Sequence, residues 1–417
     1  MIERISSEKA KTKKSVILGL DVGTTKVCAI IGEEDENGNL TILGVGSTIS
    51  QGLKKGIVID INQTTESIKA AVEKAVRMAG REIKDLLVGI AGGHIQCFNS
   101  RASVEIINPE KGVTRSDISR VVQRAKALAM PLDREILHVI PQEYVIDSGP
   151  VKNPLGQVTT KLEVNVHIIT AAVTSIQNLI RCVDLGGYNT VGILLESIAS
   201  AHSILTPEDK ELGVLLLDIG GGTTDVAIFS RGHVRYSGVV AYGGDNVSAD
   251  IAYGLKITPL DAENVKKKYG CALRSLVRPE ETFNVTQAVS HKQASFNRQF
   301  LSEIIEARLE EIFQMVKERI TSAPTRDKFF SGVVITGGSA LIEGIGELGE
   351  KVFECPVRVG FPKGLKGMTG VINSPIYSTG VGLVQHGFSD ALNQPPNGKG
   401  LFKWVRNRMM RLLVYLK

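Results

Sequence analysis

Cysteine is scarce in this chain of 417 residues, and the five that occur are scattered. Cys28, Cys97, Cys182, Cys271 and Cys355 form no Cys-x-x-Cys pair, which argues against disulfides and zinc and predicts reduced thiols in the cytoplasm. No run of about 18 apolar residues occurs, so no segment is expected to cross a membrane as a helix. The opening residues, MIERISSEKAKTKK, lack an apolar core, so we expect no secretory leader.

Net charge is also missing from most of the chain. There are 49 Lys plus Arg against 44 Asp plus Glu, a surplus of five. The last seventeen residues, LFKWVRNRMMRLLVYLK, hold five bases and no acid, so all of the surplus lies there, together with the only tryptophan, Trp404. Because the body has no basic excess, we expect no nucleic-acid partner.

The C-terminal segment has the pattern of an amphipathic helix. At about 100° per residue its apolar side chains share one face and most of its bases lie opposite, with Arg408 at the edge. The segment NQPPNGKG before it is rich in Pro and Gly, which is typical of a linker. We predict a flexible linker at 389–400 and a membrane-binding helix at 401–417; a helix that packs on the body is the alternative. The predicted membrane-facing residues are Leu401, Phe402, Trp404, Val405, Arg408, Met409, Leu412, Leu413 and Leu416.

Within the body, one pattern occurs twice. SVILGLDVGTTKVCAIIG begins at Ser15, and GVLLLDIGGGTTDVAIFSRG begins at Gly213. Each copy is an apolar β-rich run, an aspartate, a glycine turn with paired threonines, and a second β-rich run. Hairpin signals, ENGN and SRGH, follow the two copies, so each glycine turn is predicted to join two strands. The dinucleotide-binding GxGxxG pattern differs, because it leads from a strand into a helix.

The paired glycine turns have the composition of a phosphate site. Backbone N–H groups in a tight glycine turn can converge on phosphate oxygens, and threonine hydroxyls add donors. An aspartate at the strand end can hold Mg²⁺, usually through water. Two such turns facing each other would hold phosphates from both sides, whereas one copy alone would fit a plain hairpin equally well. The candidates are Gly23, Thr24, Thr25 and Lys26 in the first copy, Gly220, Gly221, Gly222, Thr223 and Thr224 in the second, and Asp21 and Asp218 for the metal.

Strands and helices alternate along the chain, which predicts an α/β architecture in two similar lobes. Helical periodicity occurs at 68–79, ending at Gly80, and again at 304–320. Between about 81 and 166, short β-rich runs surround one helical run, TRSDISRVVQRAKALA, which predicts a small inserted α+β subdomain. A third glycine turn, with Gly337, Gly338 and Ser339, runs from a strand to a helix. It is a candidate to lie against adenosine, although such connections are common.

In this order, the three glycine segments resemble the two phosphate motifs and the adenosine motif of the actin, Hsp70 and sugar-kinase superfamily. LLESIASAHSIL and YSTGVGLVQHG resemble its two interlobe connections. GGDNVSADIAYGL and AENVKKKYG resemble the smaller subdomain of the second lobe, which implies that Glu263 and Lys266 reach the nucleoside. Asp21, Asp218 and Glu196 become the catalytic candidates, since phosphoryl transfer needs positioned groups. Glu196 would orient an attacking water, or would merely cap the helix that follows it.

The insert and the tail narrow the resemblance to the FtsA family of bacterial cell-division proteins. The segments of the insert that resemble this family are GIAGGHIQ, VTRSDISRVVQRAK and REILHVIPQEYVIDS. This implies a two-lobed actin-like ATPase fold that binds ATP and Mg²⁺, polymerises, and hydrolyses ATP slowly or incidentally. The implied partners are the C-terminal peptide of FtsZ, anionic membrane lipid and other division proteins, at the cytoplasmic face of the membrane.

Two alternatives stay open. One is an actin-like scaffold of pilus assembly, and the other is a sugar or acid kinase, whose base would be sought among Asp117, Asp133 and Asp147 of the insert.

The predicted division follows from these motifs. It places the first-lobe core at 1–82, the inserted α+β subdomain at 83–165, more first-lobe core at 166–196, second-lobe core at 197–230, the second-lobe small subdomain at 231–302, second-lobe core at 303–362, a return to the first lobe at 363–388, the linker at 389–400 and the tail helix at 401–417.

Overall fold

The computed structural model describes residues 16–35, 39–127, 131–322 and 331–393. The predicted tail helix at 401–417 lies outside these residues. Among the helices of these ranges, none combines the length and apolarity that crossing a bilayer requires.

The strands are numbered in chain order. They are β1 (Val16–Val22), β2 (Lys26–Glu34), β3 (Leu40–Ile49), β4 (Leu53–Lys54), β5 (Ile57–Val58), β6 (Asp85–Ile90), β7 (Gln96–Glu105), β8 (Arg134–Ile146), β9 (Gly149–Val151), β10 (Lys161–Ala172), β11 (Asn189–Leu195), β12 (Val214–Ile219), β13 (Thr224–Ser230), β14 (His233–Val240), β15 (Thr282–Thr286), β16 (Gln293–Asn297), β17 (Val333–Thr336), β18 (Val357–Val359) and β19 (Leu365–Gly367).

The helices are numbered in the same way. They are α1 (Ile61–Ala79), α2 (Arg115–Lys126), α3 (Val173–Leu185), α4 (Glu196–Ile204), α5 (Pro207–Leu212), α6 (Gly244–Leu255), α7 (Pro259–Tyr269), α8 (Arg298–Ser322), α9 (Ile345–Phe353), α10 (Thr369–Ile372) and α11 (Ser378–Asn393).

The helix predicted before Gly80 is confirmed as α1. Asp60 caps its start by accepting a hydrogen bond from the backbone N–H of Gln63, and Gly80 ends it at φ 64°, a conformation that favours glycine. The helix predicted at 304–320 is confirmed within α8. The last helix, α11, runs to Asn393, so the first residues of the predicted linker are helical.

The two lobes share one sheet topology. The first sheet has the order β11-β6-β1-β2-β3-β19, and the second has the order β14-β13-β12-β17-β18. In each, the strand before the glycine turn pairs antiparallel with the strand after it and parallel with the strand on its other side. Even the turns match, because the N–H of Gly23 bonds the Lys26 carbonyl at 3.0 Å and the N–H of Gly220 bonds the Thr223 carbonyl at 2.9 Å. The prediction that each glycine turn joins two strands is therefore confirmed.

A separate four-stranded sheet, with the order β7-β10-β8-β9, forms a subdomain between β6 and α3, and α2 packs on it. Thr114 and Asp117 form a capping box at the start of α2, which fixes where this helix begins. The five cysteines are all free thiols, as predicted.

Two helices connect the lobes and cross each other. Helix α4 follows β11 of the first sheet and packs through Ala201 and Ile204 on the second sheet, whereas α11 packs through Val381 and Val384 on the first. Their backbones approach closely, since a Cβ built on Gly382 would lie 1.8 Å from the Ala199 carbonyl oxygen. The two lobes therefore meet where α4 packs against α11, behind the two glycine turns. We call this contact the seam between α4 and α11.

Candidate functional site

A cavity of about 1270 Å³ is lined by both glycine turns. The carboxyl ends of β1 and β12 reach it from opposite lobes, as the internal repeat predicted. Its lining includes these predicted site residues: Asp21, Gly23, Thr24, Thr25, Lys26, Glu196, Asp218, Gly220, Gly221, Gly222, Thr223, Glu263, Lys266, Gly337, Gly338 and Ser339. The topology thus gathers residues that are more than three hundred positions apart in sequence, such as Asp21 and Ser339.

The two phosphate turns lie against each other at one side of the cavity. The Thr25 hydroxyl donates to the Asp245 carboxylate across the lobes at 3.2 Å. A Cβ built on Gly221 would lie 1.7 Å from the Thr25 hydroxyl oxygen, and one built on Gly222 would lie 2.6 Å from that of Thr24. Glycine is required at both positions, because any side chain there would push the facing turn away.

Thr224 is the exception among the predicted phosphate-binding residues, and for this residue the prediction is wrong. Its side chain is fully buried, and its hydroxyl donates to the Tyr242 carbonyl at 2.9 Å instead of lining the cavity. Successive strand residues point to opposite sides. Thr223 lies on the cavity side, so Thr224, the first residue of β13, faces away from the cavity. Its contribution to the turn is the hydrogen bond to the Tyr242 carbonyl.

Several acidic residues line the cavity, and four of them with a raised pKa are Asp21, Asp218, Glu196 and Asp225. Burial raises the pKa of Asp21 to about 6, with Lys26 opposing the rise and Asp218 adding to it. Burial also raises the pKa of Asp218, against hydrogen bonds from Ser200 and Thr379. The pKa values of Glu196 and Asp225 lie well above their usual range, through burial and then through the neighbouring carboxylates. The cavity therefore concentrates acidic groups whose ionised form is unfavourable without a nearby cation.

Lys26 is the cation that faces these acids from the first turn. Its ammonium contacts the Ile376 carbonyl and lies 4.8 Å from the centroid of the Tyr377 ring, both just before α11. In sequence it follows the first threonine pair as Asp225 follows the second, but in the two sheets Lys26 matches Thr223, and Asp225 matches Cys28. The two copies are thus chemically unequal, with a cation on one side and an acid on the other.

The acidic lining fits a hydrated divalent cation. One carboxylate oxygen of Asp225, Oδ1, is buried and has no hydrogen-bond partner among the described residues. In those residues no three His, Cys, Asp or Glu side chains converge as a direct metal shell. Mg²⁺ keeps most of its waters and is commonly held by one or two carboxylates plus phosphate oxygens. Asp21 and Asp218 would hold such an ion through water, and the ion would offset negative charge beside bound phosphates.

Another part of the cavity wall is formed by α7 and the third glycine turn. Lys266 and Glu263 form an ion pair at 2.6 Å, and the Lys266 ammonium also donates to the Gly244 carbonyl at 2.8 Å. Gly337 has φ 87°, and a Cβ there would lie 2.5 Å from Oδ1 of Asp218. The strand–turn–helix order predicted for this segment is confirmed, with one 3₁₀ turn, Gly338–Leu341, before α9.

The capping alternative for Glu196 is wrong. The N-cap of α4 is Leu195, which makes no side-chain capping bond, and Glu196 is the first helical residue. The side chain of Glu196 lines the cavity and lies beside Gly89. A Cβ built on Gly89 would lie 3.2 Å from Cγ of Glu196. Glu196 therefore lies in the cavity near Asp21, Asp218 and Asp225, and its role in orienting water stays a prediction.

Sequence reasoning missed several polar groups of the site. Asp225 and Asp245 line the cavity, Thr379 lines it from α11, and Ser200 binds Asp218 from α4. A signal existed for Asp225, which follows the second threonine pair of the internal repeat as Lys26 follows the first. The other three lie outside the repeated motif, so nothing in the local pattern marked them.

Known proteins resemble the chain at two levels. Residues 215–382 match the family model described as "Cell division protein FtsA", and residues 92–170 match "SHS2 domain inserted in FTSA". The cell division protein FtsA of Pseudomonas aeruginosa is 43% identical over 387 residues, which are 92% of each chain.

Two solved structures share the fold. A chain of the PilM–PilN type IV pilus biogenesis complex has a TM-score of 0.64 at 15% identity, covering 89% of this chain and 98% of its own. MreB5 of Spiroplasma citri bound to ADP has a TM-score of 0.52 at 17% identity, covering 90% and 97%. The predicted two-lobed actin-like fold with an inserted subdomain is confirmed.

Proposed function

The chain belongs to the FtsA family of cell division proteins, and we propose that it is an ATP-binding scaffold that polymerises and tethers FtsZ to the membrane during septum formation. Two facing glycine turns at the ends of β1 and β12 carry the nucleotide part of this proposal. They offer backbone N–H groups and threonine hydroxyls from both sides of one cavity, with acids placed for Mg²⁺. MreB5, which shares the fold, was solved with ADP.

Each predicted residue has a role in this proposal. Gly23 to Lys26 and Gly220 to Thr223 hold the phosphates, Asp21 and Asp218 hold hydrated Mg²⁺, and Glu196 orients water for slow hydrolysis. The nucleoside lies between the third glycine turn and the Glu263–Lys266 pair of α7. When bound, Mg²⁺ neutralises charge on the phosphates, and the protein supplies position and donors.

The three aspartates of the insert that could serve as a kinase base lie outside the cavity. Asp117 accepts the backbone N–H of Thr114 at 3.0 Å within its own capping box. Asp147 accepts the backbone N–H of Thr160 at 2.7 Å. Neither they nor Asp133 line the cavity. These carboxylates fold the insert, which favours a scaffold over a sugar or acid kinase. The likeness to the pilus complex, at 15% identity, is a likeness of fold.

The partners follow from family membership and the tail. We place the FtsZ C-terminal peptide on the small subdomain at 231–302, self-association along the filament, and anionic lipid at the predicted tail helix. Five bases contribute at most about 1 kcal/mol each near an anionic surface. One tail should bind weakly, while a filament that presents many tails would bind tightly through effective concentration. Membrane attachment at the cytoplasmic face should therefore depend on polymerisation and on ATP.

Electron microscopy on anionic lipid monolayers tests the proposal, with and without ATP and FtsZ. We expect filaments with ATP and recruitment of FtsZ to them. Gly221→Ala should abolish ATP binding and filaments, because its Cβ would overlap Thr25. The control is Gly346→Ala, where a Cβ meets nothing within 4 Å. Filaments that ignore ATP, or FtsZ that stays in solution, would contradict the proposal.

Trp404 provides a second measurement on the same samples, because it is the only tryptophan and lies in the tail. Its emission should shift to the blue with anionic liposomes, and the apparent affinity should rise with ATP. If Gly221→Ala bound liposomes as tightly as the unaltered protein, the coupling of attachment to polymerisation would be wrong.

A further inference from the structure

Buried hydroxyl groups follow the seam between α4 and α11. Ser200 and Ser203 lie one turn apart on α4, and Ser378 and Thr379 open α11. All four are nearly inaccessible, at 0%, 2%, 1% and 7% exposed. Small side chains suit a seam where Gly382 lies against the Ala199 backbone. Their hydroxyls, however, need partners once buried, and those partners differ.

Two of the four hydroxyls converge on one carboxylate oxygen in the cavity. Ser200 donates to Oδ2 of Asp218, and Thr379 donates to the same oxygen at 3.0 Å. The two hydroxyl oxygens are also 3.0 Å apart. Asp218 is on β12 of the second lobe, so three segments meet at this oxygen: a second-lobe strand and both interlobe helices.

The other two hydroxyls bind elsewhere on the same seam. Ser203 donates to the Ser378 carbonyl at 2.8 Å and to the Ser200 carbonyl at 2.9 Å. The Ser378 hydroxyl pairs with that of Thr336 at 2.7 Å. These contacts join the helices but do not reach Asp218. Ser203 is thus a control of equal size, burial and helix position.

The arrangement makes the Asp218 carboxylate sensitive to how the helices pack. Oδ2 is held by donors from α4 and α11, while Oδ1 lies beside Gly337, where a side chain would collide with it. If α11 slid along α4 as the lobes opened, the two donors would separate and the carboxylate would lose its fixed orientation. Ions are bound tightly only when their ligands, or the ligands of their waters, are held in place.

We propose that Ser200 and Thr379 are positioning residues for Asp218, and that they make the affinity for a magnesium-bound nucleoside triphosphate depend on the packing of α4 against α11, and hence on closure of the lobes. The inference rests on the proposed function, in which Asp218 helps to hold hydrated Mg²⁺. It adds two residues that act through Asp218, which they hold by hydrogen bonds.

The test measures ATP affinity of the full-length protein by equilibrium titration, once with Mg²⁺ and once with EDTA. The variants are Ser200→Ala, Thr379→Val and Thr379→Ser, with Ser203→Ala as the control. Ser200→Ala and Thr379→Val should each reduce the gain in affinity that Mg²⁺ provides by about tenfold, the order of a lost hydrogen bond to a charged group. Thr379→Ser, which keeps the hydroxyl, should restore most of the gain.

Thermal unfolding of each variant without nucleotide separates positioning from folding. A purely structural role would lower the melting temperature of Ser203→Ala and Ser200→Ala alike and leave the Mg²⁺ gain unchanged in both, which would overturn the inference. It is also overturned if Thr379→Val and Thr379→Ser give the same gain. If the unaltered protein shows no Mg²⁺-dependent ATP affinity, the proposed nucleotide site fails as well.

Discussion

The Glu263–Lys266 pair should stabilise the part of the cavity wall that α7 forms, and removing the acid measures by how much. Lys266 is 8% exposed and bonds Glu263 at 2.6 Å, the Gly244 carbonyl at 2.8 Å and the Ser248 hydroxyl at 2.8 Å. The Glu263 carboxylate also pairs with Lys267 at 3.0 Å. Changing Glu263 to Gln keeps the shape but leaves a buried ammonium without its counter-charge, which is costly.

The magnitude follows from the pKa of the acid. Burial alone would raise the pKa of Glu263, but Lys266 and the hydrogen bonds around the carboxylate lower it from 4.5 to about 2. At 1.36 kcal/mol per unit, this shift corresponds to about 3 kcal/mol of stabilisation. Because the side chain is partly exposed, solvent screening reduces the expected value to about 1–2 kcal/mol.

The pH dependence has a definite sign. Since the pKa of Glu263 is lower in the folded than in the unfolded protein, its stabilisation is complete above pH 4.5 and is lost as the pH falls from 4.5 toward 2. The cost of Glu263→Gln should therefore be full at pH 7 and shrink below pH 4.5.

Denaturant unfolding at pH 7 provides the assay, as a double-mutant cycle with Glu263→Gln and Lys266→Met. We expect a coupling energy of about 1–2 kcal/mol. The control is Glu211→Gln, which breaks a pair with Lys152 at 3.2 Å between exposed side chains and should cost less than about 0.5 kcal/mol. If Glu263→Gln were as mild as Glu211→Gln, or the coupling vanished, the argument from burial would be refuted.

Two further perturbations test other parts of the fold. Gly382→Ala should lower the free energy of unfolding by about 3 kcal/mol or more, because its Cβ would overlap the Ala199 carbonyl. The control, Gly346→Ala, should leave the free energy of unfolding unchanged or raise it by roughly 0.5–1 kcal/mol. Equal melting temperatures of the two variants would contradict this. Burial lowers the pKa of His167 from 6.5 to about 4, so the unfolded protein takes up the proton first as the pH falls below 6.5. The unfolding free energy should therefore fall by about 2 kcal/mol between pH 7 and pH 5 through His167 alone. His167→Gln should remove that slope and His291→Gln, at an exposed site, should not; identical slopes in denaturant unfolding would refute the assignment.

Much of the site could be predicted from the sequence because the chain repeats itself. Two copies of an aspartate followed by a glycine turn, each between β-rich runs, are enough to predict two hairpins in two lobes. The strand ends must then meet at one cleft if the lobes are alike. Asp21 and Asp218 were found in this way. Thr224 was assigned wrongly because the motif was read as a unit, although alternation along β13 separates it from Thr223.

The groups that hold the catalytic candidates in place were not predictable, and the reason is physical. SIASAHS in α4 contains three serines, and helical serines of this kind commonly bond to their own backbone. Nothing in their spacing distinguishes Ser200, which reaches Asp218, from Ser203, which bonds the Ser378 carbonyl. The difference arises only where α11 crosses α4, nearly two hundred residues later in the chain. A local pattern can therefore indicate that a helix is buried and carries small side chains. Which of those side chains contacts the site is determined by tertiary packing.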